Sequence, residues 1–158
     1  MHHAPARSGR PSLLWCGRHR ITLEFARDPN VTENHLTVDQ LLSDARSKLA
    51  RLGPGEAAGA IERGALLVDI RSESQVAADG AIPGARWVAR NVLEWRLDPA
   101  SPHRDPELAR RELPVILICN EGDQSSLAAA MVRRLGVDAT DVVGGFQAWR
   151  AAGLPVSR

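Results

Sequence analysis

Cysteine is scarce in this chain. Cys16 and Cys119 are the only two in 158 residues. Two thiols without C-x-x-C spacing build neither a disulfide framework nor a zinc site. They suit a reducing compartment, where a thiol stays free, so the expected location is the cytoplasm. The five histidines, at positions 2, 3, 19, 35 and 103, do not pair at helical spacing with another ligand type. No metal is expected, nor any other cofactor. No stretch approaches the ~18 consecutive apolar residues of a membrane helix, so no membrane role is expected. Lysine is nearly absent too: Lys48 stands beside nineteen arginines, a bias read as genome composition and not as a binding signal. Residues 1–30 hold five arginines against Glu24 and Asp28, giving +3, whereas residues 31–158 hold fifteen bases against seventeen acids, giving −2. A body of that charge lacks the basic footprint of a nucleic-acid binder.

What is present reads as one domain with an added front end. Residues 1–30 show no sustained period and are rich in Arg, Pro, Gly and His, the composition of a disordered tail. Their apolar face is poor for a transit peptide, and Val31 is a candidate alternative start. Cys16, within this tail, is read as an exposed thiol without a role. Residues 31–52 form an N-terminal helical segment. Thr37 followed by Gln40 makes a capping-box pattern, and Val38, Leu41, Leu42, Ala45, Leu49 and Leu52 form one stripe expected to pack on the domain behind it.

From residue 53 to 158 strands and helices alternate. Gly53-Pro54-Gly55 breaks the first helix, and a short one follows from Glu56 to Arg63. Ala65 to Ile70 and Val115 to Ile118 are apolar runs of the kind buried on both faces of a parallel sheet. Asp141 to Val143 is a shorter third run. Helical patterns cover Asn91 to Leu97, Leu127 to Leu135, and Phe146 to Ala152, the last stopped by Gly153 and Pro155. This alternation predicts an α/β fold with a largely parallel sheet.

The segment PVILICNEGDQSSL places Cys119 where a strand gives way to a helix. Ligands of open α/β sheets bind beyond the carboxyl ends of the strands. The loop after Cys119 can aim backbone N–H groups at the sulfur, the helix from about Ser125 adds its positive end, and both stabilise a thiolate. Gly122 lets the loop curl tightly. A buried structural cysteine is the competing reading. No histidine adjoins Cys119, which weakens a Cys–His dyad, and Ser125 stands where a phosphate cradle needs arginine. A thiolate held by backbone dipoles suits the acceptance and passing-on of sulfur.

Five blocks together resemble a single-domain rhodanese-like sulfurtransferase: Leu67-Val68-Asp69-Ile70-Arg71, Ala81-Ile82-Pro83-Gly84-Ala85, the Cys119 loop, Gly144-Gly145-Phe146-Gln147-Ala148-Trp149, and Ala152-Gly153-Leu154-Pro155. The resemblance implies a rhodanese-like three-layer fold, with a five-stranded, mostly parallel sheet flanked by helices; here an N-terminal helix is added. It implies that Cys119 forms a persulfide, and that Asn120, Glu121, Gly122, Asp123, Gln124 and Ser125 cradle it. The loop from Cys119 to Gln124 has the length of the sulfurtransferases, not that of their phosphatase relatives. Two departures stand out. Ala81 replaces a histidine common in the family. The loop carries Glu121 and Asp123 where active members often carry a base, and like charges disfavour anionic donors.

Among arginines that would compensate, Arg71 and Arg90 are the candidates for the mouth of the site, Arg90 being better placed than Arg86 or Arg96. Asp69 is expected to pin loop N–H groups or Arg71. Trp87 and Trp95 are read as core rings, with the pocket wall as the alternative, and Trp149 as core. The expected activity is sulfur transfer from a small donor, a persulfide or thiosulfate, to a thiol or cyanide acceptor. A partner protein of sulfur metabolism is a further candidate. The alternative is a non-catalytic binding or regulatory module on the same fold.

Overall fold

The computed structural model describes residues 35–157 apart from Arg111, together with two short strands near the start of the chain. Those strands, β1 (Leu14–Cys16) and β2 (His19–Ile21), pair antiparallel. The rest of the expected tail, and the thiol of Cys16, lie outside the described residues.

The remaining chain, from Leu36 on, forms a separate unit. Its elements are α1 (Val38–Ser47), α2 (Pro54–Glu62), β3 (Leu66–Asp69), α3 (Glu73–Asp79), β4 (Arg86–Trp87), a 3₁₀ turn (Arg90–Val92), α4 (Leu93–Leu97), β5 (Val115–Ile118), α5 (Gln124–Arg133), β6 (Ala139–Asp141) and α6 (Gly145–Ala151). The sheet runs β4-β3-β5-β6, with every pairing parallel. The unbroken apolar runs have a direct cause. Val68, Val115 and Leu117 face one core layer with Leu93, Leu97 and Val132. Leu67, Ile116 and Ile118 face the other with Ala57, Phe146 and Trp149. Full burial of each such aliphatic side chain contributes about 1.5–3 kcal/mol, so neither face of β5 tolerates a polar residue.

The sheet has four strands where the resemblance implied five. The fifth position shrinks to Leu52, whose N–H donates to Asp141 O (3.0 Å) and whose carbonyl accepts from Val143 N (2.8 Å). Gly53 and Pro54 follow at once, and Pro54 opens α2. Proline has no N–H to continue a ladder, so the strand ends after one residue. Leu52 therefore belongs to the sheet edge and not to the helical stripe. The Thr37–Gln40 capping box forms as expected. The stripe of α1 buries Ala45 and partly covers Leu42, and Leu49 just past the helix packs on the core, while Val38 and Leu41 stay exposed. The third strand begins at Ala139, two residues before the expected run, because small Ala139 and polar Thr140 carry no apolar signal. The backbone of Ala81 exchanges two hydrogen bonds with Ser157, both 2.8 Å, tying down the chain's last described turn.

Candidate active site

Cys119 follows the last residue of β5 and precedes the loop into α5. The residue is buried, 6% exposed. Sγ accepts the N–H of Gly122 (3.2 Å) and of Ser125 (3.3 Å). Ser125 Oγ also lies 3.3 Å from Sγ and donates its single proton to Asp141 Oδ2 at 3.1 Å. In that arrangement the thiol proton points at Ser125. On ionisation the hydroxyl can turn its proton toward sulfur, because Asp141 keeps other donors: Arg51 Nε (2.8 Å), Arg51 Nη2 (3.0 Å) and Ser126 Oγ (2.8 Å). The chain thus holds a sulfur atom whose negative form gains donors without rearrangement of the backbone.

Two glycines make this packing possible. Gly122 has φ +86°, and a Cβ there would lie 2.9 Å from Gly144 N and 3.1 Å from Val142 O. Gly145 has φ +57°, and its Cβ would sit 2.5 Å from Cys119 O. The close approach lets Phe146 N donate to Cys119 O (2.8 Å) and Gln147 N to Asn120 O (3.0 Å). The double glycine is therefore the seam by which α6 closes the cysteine loop.

A cleft of ≈ 700 Å³ opens over Cys119, with Ile70, Trp87, Ala89, Arg90, Glu121 and Gln124 in its lining. The six loop residues expected to form the cradle all surround the sulfur or its mouth, in distinct ways. Glu121 and Gln124 are exposed at the opening. Asn120 turns its amide oxygen to Gln147 Nε2 (2.9 Å). Asp123 is ion-paired to Arg46 at 2.6 Å.

The two expected arginines differ. Arg90 reaches the cleft but is held by Glu94 Oε1 and Oε2 at 2.9 and 3.0 Å. Arg71 is held more tightly. Its side chain is buried, bound to Asp69 Oδ2 (2.7 Å) and Gly80 O (2.9 Å), and stacked 3.6 Å from the centre of the Phe146 ring. Arg71 nonetheless lines the cleft, and its buried Nη1 has no hydrogen-bond partner among the described residues, one donor that the ion pair leaves over. Asp69 pins both the Arg71 N–H (3.0 Å) and its side chain, the structural role expected of it. Trp87 is 48% exposed on the cleft wall, its Nε1 donating to Arg71 O, so it is not a core ring. Trp95 is exposed as well, away from this cleft, and Trp149 is buried.

Sequence reasoning missed Asp141, Arg46 and Arg51. Asp141 had no local signal, because its place beside Ser125 comes from the pairing of β6 with β5. Arg46 and Arg51 had none, since nothing in their spacing separates them from surface arginines.

Residues 53–152 match the family model described as Rhodanese-like domain. The thiosulfate sulfurtransferase GlpE of Pseudomonas fluorescens (strain SBW25) is 34% identical over 106 residues, covering 66% of this chain and 87% of that protein. A solved structure from Rhodopseudomonas palustris CGA009, a protein of unknown function and possible tyrosine phosphatase, is 31% identical with a TM-score of 0.72, covering 77% of this chain and 95% of that one. The thiosulfate sulfurtransferase of Pseudomonas aeruginosa is 28% identical with a TM-score of 0.57, covering 70% of this chain and 19% of that one. With the strand order, the cysteine loop and the double-glycine seam already in place, these likenesses make the chain a member of the rhodanese-like domain family.

Proposed function

We propose that this protein is a sulfurtransferase that carries sulfane sulfur on Cys119. The observation that carries this reading is the pair of backbone N–H groups, from Gly122 and Ser125, converging on Sγ at the floor of an open cleft. The Cys119 thiolate attacks the outer sulfur of a donor R–S–S⁻. A new S–S bond forms, the donor's own S–S bond breaks, and R–S⁻ leaves as a thiol after taking a proton. The enzyme is left as Cys119–S–S⁻, its terminal charge facing the donors of the Asn120–Ser125 loop. An acceptor thiolate or cyanide then attacks the outer sulfur, and the Cys119 thiolate departs. The cycle needs no metal and no redox partner, because sulfur passes between nucleophiles at one oxidation level. A reducing cytoplasm would keep the thiol available.

The donor we infer is an organic persulfide, of low molecular weight or on a partner protein, in preference to thiosulfate. Glu121 stands unpaired at the mouth among the described residues, Arg90 is engaged by Glu94, and Arg71 is held by Asp69. A doubly charged inorganic anion finds little to neutralise it there. Trp87 and the volume of the cleft suit a donor with an organic body.

The base-free loop also supports a second reading, a rhodanese-fold binding module whose cysteine does not turn over. A phosphatase is less well supported, since Ser125 stands where the phosphate clamp would need arginine. The mass of the unreduced full-length protein separates these. A gain of one sulfur, removed by cyanide and absent in Cys119→Ser, is the expected result. A cysteine that stays unmodified after incubation with persulfide and thiosulfate would leave the binding module.

A further inference from the structure

The loop from Asn120 to Asp123 contains no cation, yet two guanidiniums touch it from behind. Arg46, in the last turn of α1, donates through Nη2 to Gly122 O (3.2 Å) and to Asp123 Oδ1 (2.6 Å), and through Nε to Ser126 Oγ (3.3 Å). Arg51, just past that helix, donates through Nη2 to the same Gly122 O (3.1 Å) while binding both oxygens of Asp141, and Ser126 Oγ, which Arg46 Nε holds, is a third donor to that carbonyl (2.8 Å). Both arginines precede residue 53, where the match to the family model begins.

We propose that Arg46 and Arg51 are positioning residues for the sulfur cradle, doing from behind what a loop base would do from within. The case turns on one peptide unit. In a planar trans peptide the Gly122 carbonyl and the Asp123 N–H point in opposite directions. Drawing the carbonyl back onto two guanidiniums therefore turns the Asp123 N–H away from them. Gly122, with its positive φ, is also the residue at which this peptide can rotate most freely. Without the clamp the carbonyl keeps only Ser126 Oγ, whose single proton Asp141 also draws, and it can swing toward the sulfur and present a negative dipole to an anion. The clamp removes that conformer and sets a positive charge behind the loop. Arg51 extends the hold to the other side of the sulfur, because the carboxylate it fixes is the one that Ser125 reaches.

The charged groups around the sulfur are few. Asp141 lies beneath it through Ser125, Glu121 and Asp123 belong to the loop, Glu73 and Arg90 line the cleft, and Arg71 is paired with Asp69. Asp123 is paired with Arg46, so Glu121 is the loop acid left without a partner among the described residues.

The inference rests on the sulfurtransferase reading only for its kinetic consequence, and its test does not need turnover. The rate of Cys119 alkylation by iodoacetamide is measured against pH in the full chain carrying Cys16→Ser, which removes the second thiol. Arg46→Gln should slow alkylation at neutral pH roughly three- to tenfold and move the midpoint of the profile upward. Arg46→Lys keeps the charge but loses the fork that reaches Gly122 O, Asp123 and Ser126 together, so it should recover only part of the rate. Asp123→Asn leaves the Arg46 bonds to Gly122 O and Ser126 in place and should not move the midpoint upward. With a persulfide donor, Arg46→Gln should lower kcat with little change in KM. A folded Arg46→Gln protein with the parental profile overturns the proposal. If Arg46→Gln does not fold, Arg46→Lys decides, because a fully parental profile there means that charge alone suffices and positioning does not occur. Arg51→Lys provides the independent check on the second arginine, with an upward shift expected. Failure of the sulfurtransferase reading would look different: wild-type protein that never gains sulfur, with the alkylation series unaffected.

Discussion

The cysteine loop differs sharply on its two sides. The side that faces the cleft carries Glu121, Gln124 and half-exposed Trp87, with an arginine already taken by Glu94. The side turned inward carries Arg46, Arg51 and the buried Asp141, linked by bonds of 2.6 to 3.3 Å that converge on Gly122, Asp123, Ser125 and Ser126. The front is open and lightly acidic; the back is cross-linked, buried at Asp141 and reaching solvent at the Arg46–Asp123 pair. Such a division separates two tasks. On the proposed reading, positioning the sulfur belongs to the back and to the backbone, and choosing the donor belongs to the front.

Breaking the contrast at its centre has the largest expected effect. Cys119→Ser should abolish sulfur transfer, a loss of at least a thousandfold in cyanide-dependent thiocyanate release, while the thermal unfolding curve stays near that of the wild type. Retention of transfer by that variant would remove the sulfur from the cysteine altogether.

The next effect falls on stability and asks whether Arg71 belongs with the structural layer, as its burial indicates. Asp69→Ala leaves a buried guanidinium without its carboxylate. Loss of one partner from a buried pair costs about 3–5 kcal/mol, which chemical denaturation would register as a large drop in midpoint. A drop below 1 kcal/mol would return Arg71 to the pool of residues free to bind ligand.

A smaller effect sharpens the front. Glu121→Gln should raise kcat/KM for thiosulfate several-fold relative to a neutral or singly charged persulfide, and the gain should shrink as salt rises. Asp123→Asn should do less, since Arg46 already neutralises that acid. Equal effects from the two substitutions would show that the ion pair does not decide the field at the mouth.

The smallest is expected at the wall of the cleft. Trp87→Ala should raise KM for a bulky organic persulfide two- to fivefold and leave thiosulfate unchanged. A change shared by both donors would mean that the ring supports the loop and does not contact the donor.

The strands were legible in the sequence because burial on both faces leaves uninterrupted runs, and Ala65–Ile70 and Val115–Ile118 are such runs. Cys119 and its loop were legible because a glycine and two serines follow directly in the chain. The back of the site was not. Asp141 meets Ser125 only because β6 lies parallel to β5 with Leu117 opposite Asp141, and a register between distant strands leaves no local mark. Arg46 and Arg51 arrive by the docking of α1 beside α5, which the helix's own stripe suggested in outline without naming the arginine that would reach the loop. Trp87 was misread for a related reason. It ends a two-residue strand at the sheet's edge, where a large apolar ring need not be covered.

The seam at Gly145 sets an order in time. The Cys119 and Asn120 carbonyls are tied by the N–H groups of Phe146 and Gln147, and Gln147 is synthesised 28 residues after the cysteine. At bacterial and eukaryotic elongation rates of ~5–20 residues per second, that is a delay of roughly one to six seconds. Throughout it the cysteine exists in the nascent chain without the helix that completes its enclosure. The enclosure of the thiol is therefore completed late in synthesis, and a pulse of alkylating reagent during refolding would date the docking of α6 by the moment at which Cys119 changes its rate.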